Sequence, residues 1–183
     1  MVTGGIYICM NLAKAVRDRW VQAQFALLLL LAASGPLLPR YGSLGPLDPV
    51  LNRIDPWPAR VAGIVACLLG FAFAAWGALT LGAALTPEPE PLPDASLVES
   101  GPYGLVRHPI YTGIVVASAG WTLAWSNWTL ALAIGVVLAC FFEAKAGVEE
   151  RWLRARFPSY AGYAQRVRRR VVRADPGPAG RLP

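Results

Sequence analysis

Apolar residues in this chain fall in long blocks rather than at amphipathic spacing. The clearest block runs from Val61 to Leu85, twenty-five residues without a charge. As a helix it would reach about 37 Å, enough to cross roughly 30 Å of hydrocarbon with some tilt. An earlier block extends from Trp20 to about Leu38 around the Leu27–Leu31 run, with Gln22 and Gln24 expected at the interface. Basic residues before it and small residues at Ala32–Ser34 are features of a secretory signal. Three further apolar blocks behind it favour a retained span. Two shorter blocks, Ile110–Trp125 and Trp128–Phe142, are separated by Ser126 and Asn127 alone. Each spans about 22–24 Å as helix, and so tight a connection predicts an antiparallel hairpin whose second helix continues into the polar tail. Trp121, Trp125 and Trp128 cluster at that turn as an interfacial aromatic belt. The sequon Asn127-Trp128-Thr129, this close to the bilayer, reads as chance. Gly63, Gly70 and Gly77, seven apart, mark a helix-packing face.

Composition agrees with the pattern. Of 183 residues, 55% are hydrophobic and 15% charged, against about 25% charged in soluble domains. Cys9, Cys67 and Cys140 lie far apart, which argues against a disulfide scaffold or a metal site. The net charge of +6 gathers beside apolar spans, which points to a membrane surface and not to nucleic acid. Lys14, Arg17 and Arg19 precede the first span, and Lys145 with nine arginines follows the last. By the positive-inside rule both termini face the cytoplasm, as does the loop from Thr86 to Pro109. The expected fold is an all-α integral membrane protein of about four transmembrane helices, the last two a tight hairpin, with a cytoplasmic C-terminal amphipathic helix. The expected location is the plasma (inner) membrane. Residues 1–85 form the N-terminal transmembrane helices, and residues 86–183 hold the chemistry.

That loop opens with the stiff stretch Pro87-Glu88-Pro89-Glu90-Pro91-Leu92-Pro93. It then reads Leu97-Val98-Glu99-Ser100-Gly101-Pro102-Tyr103-Gly104-Leu105-Val106-Arg107-His108-Pro109-Ile110-Tyr111-Thr112-Gly113, which contains the chain's one histidine. Pro109 suits the first turn of a helix, so Arg107 and His108 stand at the positive end of the third helix. Free backbone N–H groups, the helix dipole and a guanidinium there make an expected anion site. In the tail, Lys145, Glu149 and Leu153 share one helix face at four-residue spacing. A carboxylate pair, Glu149 and Glu150, with aromatic neighbours Phe157, Tyr160 and Tyr163 suits a cationic ligand.

Together, Gly101-Pro102-Tyr103, Arg107-His108-Pro109-x-Tyr111-x-Gly113, Glu149-Glu150-x-x-Leu153-x-x-x-Phe157 and Tyr160-x-x-Tyr163 resemble the isoprenylcysteine carboxyl methyltransferase family, part of a wider group with membrane phospholipid methyltransferases. The resemblance covers roughly Leu97 to Arg169. It implies an integral membrane methyltransferase that uses S-adenosyl-L-methionine at the cytoplasmic membrane face and acts on a lipophilic small molecule or lipid. It further implies that Leu97, Val98, Tyr103, His108, Pro109, Tyr111 and Glu149 surround the cofactor. Lys145 falls where eukaryotic members carry an arginine near the substrate. Chemically, Arg107 and His108 suit the cofactor carboxylate, Glu149 its ammonium, and the tyrosines its sulfonium or adenine. An ionised carboxylate acceptor needs no base, whereas an amine must lose a proton, for which His108 or Glu150 would serve. No Gly-x-Gly-x-x-Gly loop follows a strand, so a soluble Rossmann design is excluded.

Other readings stay open from sequence. Lys145 equally suits a snorkelling helix end. The Arg166–Arg173 cluster reads as an anionic-lipid contact, and Tyr160 and Tyr163 as packing. An NADPH-dependent reductase of the sterol-reductase type shares an Arg-His-Pro-x-Tyr segment, and a non-enzymatic lipid-binding membrane protein would share the basic tail. The sequence assigns neither an oligomeric state nor the acceptor.

Overall fold

The computed structural model describes residues 18–37, 56–86, 96–125 and 128–174. Lys14, Arg17, the first connecting loop, the proline stretch, the Ser126-Asn127 turn and the terminal proline- and glycine-rich segment lie outside the described residues, so expectations placed on them are not addressed below. The described chain is helical, in the order α1 (Arg19–Leu37), α2 (Pro56–Leu81), α3 (Pro109–Trp125), α4 (Trp128–Arg156) and α5 (Tyr160–Arg166). Short 3-10 turns occur at Gly82–Ala84 and Gly101–Gly104. Among the described residues the β content is one isolated bridge, Arg169 to Ala174.

Each helix begins where local chemistry lets it. Asp18 caps α1, its carboxylate accepting the N–H of Trp20 at 2.8 Å and of Val21 at 3.1 Å. α2 starts at Pro56, five residues before the apolar run, because proline suits the first helical position. α3 opens on Pro109 for the same reason. α4 runs on past Phe142 into the polar tail as expected.

Two helices, Trp57–Leu81 and Ala131–Arg156, are long and apolar enough to cross a membrane, and most of their apolar surface is unburied. Leu68, Leu69, Phe71, Leu79, Leu132 and Val136 all point outward, Leu79 with 82% of its surface exposed. A continuous apolar exterior of this kind is a liability in water and suits hydrocarbon. This is a helical membrane fold.

α2 and α3 pack antiparallel through small residues. A Cβ added to Gly63 would lie 2.7 Å from the Gly120 carbonyl, and one added to Gly70 would lie 2.4 Å from the Ala117 nitrogen. Gly77 meets Pro109 and Ile110. As the numbers rise on α2 they fall on α3, and Gly113 and Gly120 return the contact against Gly70 and Gly63. Missing side chains thus bring two backbones into direct contact. α4 and α1 close the other sides of α3. Val115, Leu138, Phe142 and Ala146 form the core, and Leu27 and Leu31 of α1 pack on it. Trp121 and Trp125 meet at the far end of α3 with their rings tilted 49° and centroids 5.5 Å apart.

Past α5, residues 167–174 turn back across the start of α3. The Arg107 N–H donates to the Arg169 carbonyl at 2.9 Å and the His108 N–H to the Arg170 carbonyl at 3.0 Å. The Thr112 hydroxyl donates to the Val171 carbonyl at 2.8 Å. Glu143 accepts the N–H groups of Val172 and Arg173 at 3.0 and 2.9 Å. Val171 is buried in the core between these anchors.

Candidate active site

At this polar end of the bundle a cavity of about 310 Å³ opens, within the size range of small-molecule sites. Three stretches of chain build most of its wall, with Gln24 of α1 added to them. The first is the end of α2 with its 3-10 turn, through Leu81, Ala84, Leu85 and Thr86. The second is the segment from Ser96 to Tyr111. The third is the polar half of α4 and the residues after it, through Lys145, Glu149, Leu153, Phe157, Tyr160 and Tyr163.

Local rules place the second stretch. Gly101 sits at φ +58, a left-handed conformation that side chains resist, and a Cβ there would come within 3.3 Å of the Thr80 hydroxyl. The turn it makes lays Tyr103 against the cavity, where the Tyr163 hydroxyl holds the Tyr103 carbonyl at 2.8 Å. Burial, with the Glu149 charge adding to it, raises the Tyr103 phenol above its usual range, so it stays protonated.

His108, Tyr111 and Glu149 form one unit. The His108 and Tyr111 rings stack with centroids 5.4 Å apart and planes 3° from parallel. The Tyr111 hydroxyl donates to Glu149 Oε2 at 2.9 Å, and His108 Nδ1 lies 3.6 Å from the same oxygen. Phe142 backs Tyr111 at 4.8 Å. A carboxylate is thereby held at the mouth of an aromatic pocket, the arrangement that favours a cation.

The two neighbouring glutamates have different surroundings. Glu149 keeps a quarter of its side chain exposed and lines the cavity. Glu150 is 3% exposed, accepts from Arg107 Nε at 2.8 Å, and has Arg170 Nε at 3.1 Å and His108 Nε2 at 3.5 Å. It stands behind the wall and is not among the lining residues.

Of the residues singled out from sequence, Leu97, Val98, Tyr103, Arg107, His108, Tyr111, Lys145 and Glu149 all line the cavity. Pro109 does not; it is buried beside Gly77 of α2. The anion site expected at the start of α3 requires correction. The N–H groups of Arg107 and His108 already donate to tail carbonyls, and Pro109 has none to offer. Arg107 itself, 3% exposed, directs Nε to Glu150 and Nη1 to the Val167 carbonyl at 2.8 Å. The chain's own tail supplies the acceptors that an anion would have replaced.

Lys145 does not snorkel. It is 1% exposed, donates to Gln24 Oε1 of α1 at 2.5 Å and stands 5.3 Å from the Tyr111 ring centroid. Gln24 therefore lines the site as well. A polar residue inside an apolar span is a functional signal by itself, and that signal was available in the sequence. The basic cluster 166–173 also divides. Arg168, Arg169 and Arg173 face outward, whereas Arg170 turns inward to Glu150 and Glu143.

Apolar outward-facing helices closed at one end by a polar wall around such a cavity define a helical membrane protein with a small-molecule site. Comparison with known proteins narrows that class: the chain belongs to the phospholipid methyltransferase family, whose pattern residues 58–159 match. It is 39% identical over 72 residues to protein-S-isoprenylcysteine O-methyltransferase B of Arabidopsis thaliana, covering 39% of this chain and 36% of that protein. Over a stretch of the same length it is 32% identical to the cobalt-zinc-cadmium resistance protein CzcN of Cupriavidus metallidurans, covering 33% of that protein. The match thus spans about a third of the length of either relative. The fold resembles that of the eukaryotic intramembrane Ras methyltransferase, an isoprenylcysteine carboxyl methyltransferase, with TM-score 0.59 and 24% identity over 82% of this chain and 51% of that one. A match to methyltransferases does not favour the reductase reading.

Proposed function

We propose that this protein transfers a methyl group from S-adenosyl-L-methionine to a lipophilic acceptor at the cytoplasmic face of the membrane. The observation that carries the proposal is the shared carboxylate. His108 and Tyr111, from the start of α3, and Glu149, from the polar half of α4, meet at one oxygen on the cavity wall. Family membership supports the same reading.

S-adenosyl-L-methionine would supply a methyl group on a sulfonium, a good leaving group. The residues present suit such a molecule, since it joins an aromatic base to a cationic, amino-acid end. Glu149 offers its charge to the cationic end, with Tyr111 and His108 fixing the carboxylate in position. Leu97, Val98 and Tyr103 form the apolar side. Lys145 and Gln24 face the acceptor. Methyl transfer breaks one S–CH3 bond and forms one bond to the acceptor, leaving a neutral thioether. Holding the two partners in line supplies up to about 7–11 kcal/mol of the barrier. A carboxylate acceptor loses no proton. For an amine acceptor His108 is the base, because Glu150 is held by two arginines.

The same reading has four transmembrane helices, both termini in the cytoplasm of a plasma (inner) membrane protein, and α5 as the amphipathic tail helix. Residues 86–183 carry the cofactor region and residues 1–85 the N-terminal spans. The test is labelled-methyl transfer on native membrane extract with identification of the labelled product. Label in a lipophilic product, absent from a His108→Ala preparation, is the expected result. Binding of NADPH but not S-adenosylhomocysteine to the purified protein would overturn it.

A further inference from the structure

The strap of chain formed by residues 167–174 has two sides. Inward, Val171 is buried in the core and Arg170 reaches Glu150 and Glu143. Outward, Arg168, Arg169, Val172 and Arg173 are exposed, Val172 with 58% of its surface. The outer arginines differ from their neighbours. Arg107, Arg154, Arg166 and Arg170 each pair with a glutamate. Among the described residues no carboxylate pairs with Arg168, Arg169 or Arg173. Three cations around an exposed valine make a surface that is at once basic and apolar.

The height of this surface along the bundle indicates what it meets. Glu143, which accepts the N–H groups of Val172 and Arg173, is the first charged residue after the apolar run of α4. Leu132, Val136 and Val137 stand exposed on the same helix about 9–17 Å before it. The strap is therefore pinned at the edge of the hydrocarbon. At that level arginine reaches lipid phosphate and valine the acyl boundary. The same strap also holds the site. The carbonyls of Arg169 and Arg170 accept the N–H groups of Arg107 and His108, and both of those residues line the cavity.

We propose that the strap is a sensor of anionic lipid: headgroup phosphates bind Arg168, Arg169 and Arg173, hold the strap against α3, and thereby firm the methyl-donor site. The docked strap presents the three guanidinium groups and Val172 together. A released tail must first be ordered to offer the same surface, so lipid favours the docked state. The gain in donor affinity rests on the donor reading above; the docking does not. The experiment places the full chain in nanodiscs of phosphatidylcholine alone or with phosphatidylglycerol added. Hydrogen exchange at the Arg107 and His108 amides is followed beside calorimetry of S-adenosylhomocysteine. Both amides lie under the strap, so lipid contact alone does not protect them. Phosphatidylglycerol is expected to slow their exchange and tighten S-adenosylhomocysteine binding by about fivefold each, the worth of one interfacial arginine. The triple variant Arg168→Gln, Arg169→Gln, Arg173→Gln is expected to match the native chain in phosphatidylcholine and to lose both responses.

Unchanged exchange at both amides when phosphatidylglycerol is added overturns the proposal. So does a response that the triple variant keeps, or one that inorganic phosphate reproduces in phosphatidylcholine discs. Slowed exchange with S-adenosylhomocysteine bound equally in both lipids overturns the link to the site. Should the triple variant not fold, the three single variants decide: a weakened response in any of them supports the proposal, and a full response in all three overturns it. Slowed exchange with no S-adenosylhomocysteine binding in either lipid keeps the docking and removes the donor reading, so the two failures are distinguishable.

Discussion

Along α2 and α3 the helices are joined by what their side chains lack, with Gly63, Gly70, Gly113 and Gly120 letting backbone meet backbone. One end of the same α3 is held quite differently. There Arg107 and Glu150 are buried together beside the half-buried Arg170, and the tail carbonyls of residues 167–169 accept from Arg107. The first region depends on shape and tolerates no added volume. The second depends on pairing and tolerates no lost partner. The contrast follows from position: hydrocarbon gives apolar helices no reason to associate except close packing, whereas a buried charge must find its complement. The site sits where the two regimes meet, with rigid helices beneath it and a polar lock behind it.

Breaking the lock gives the largest expected effect. Glu150→Ala leaves Arg107 and Arg170 facing each other without their carboxylate, and a loss of about 3–5 kcal/mol is expected. Thermal unfolding in detergent measures it, and a melting temperature equal to native would remove Glu150 from this role. Breaking the seam comes next. Gly70→Val drives a side chain into the Ala117 nitrogen and the Gly113 carbonyl, backbone atoms that cannot rotate away, at a cost of about 1–3 kcal/mol or more. The companion variant Gly135→Ala sharpens this comparison. Its Cβ meets nothing nearer than 3.6 Å, so it is expected to be neutral or to gain up to about 1 kcal/mol from helix propensity. The smallest effect belongs to Thr112→Val, which removes one hydrogen bond to the Val171 carbonyl and costs about 1 kcal/mol. Proteolysis of the tail reports it independently, since a loosened residue 171 becomes accessible.

These regions were unequally legible. The helices could be read from apolar runs, because a membrane span must be long and uncharged, but the block read as Val61–Leu85 becomes a helix over Pro56–Leu81. The glycine spacing on α2 was readable too. Its matching face on α3 was not, since Gly113 and Gly120 become partners only once the antiparallel register is known. Motif spacing brought His108, Tyr111 and Glu149 together correctly on one cavity. It also cast Arg107 as a ligand group, because the acceptors that claim it are backbone carbonyls, which any residue carries and no pattern announces. The role of Gln24 at the site was hidden for a related reason. Its partner Lys145 lies 121 positions along the chain, and neither residue predicts the other.

That two distant segments close over one small molecule is tested most directly by S-adenosylhomocysteine affinity in His108→Ala and Glu149→Gln, measured beside their unfolding temperatures. The glutamine keeps an acceptor for the Tyr111 hydroxyl and removes only the charge. Each variant is expected to bind at least about tenfold more weakly, the order of a lost charged hydrogen bond, while unfolding near the native temperature. Native-like affinity in either variant, with the fold intact, would contradict a shared site.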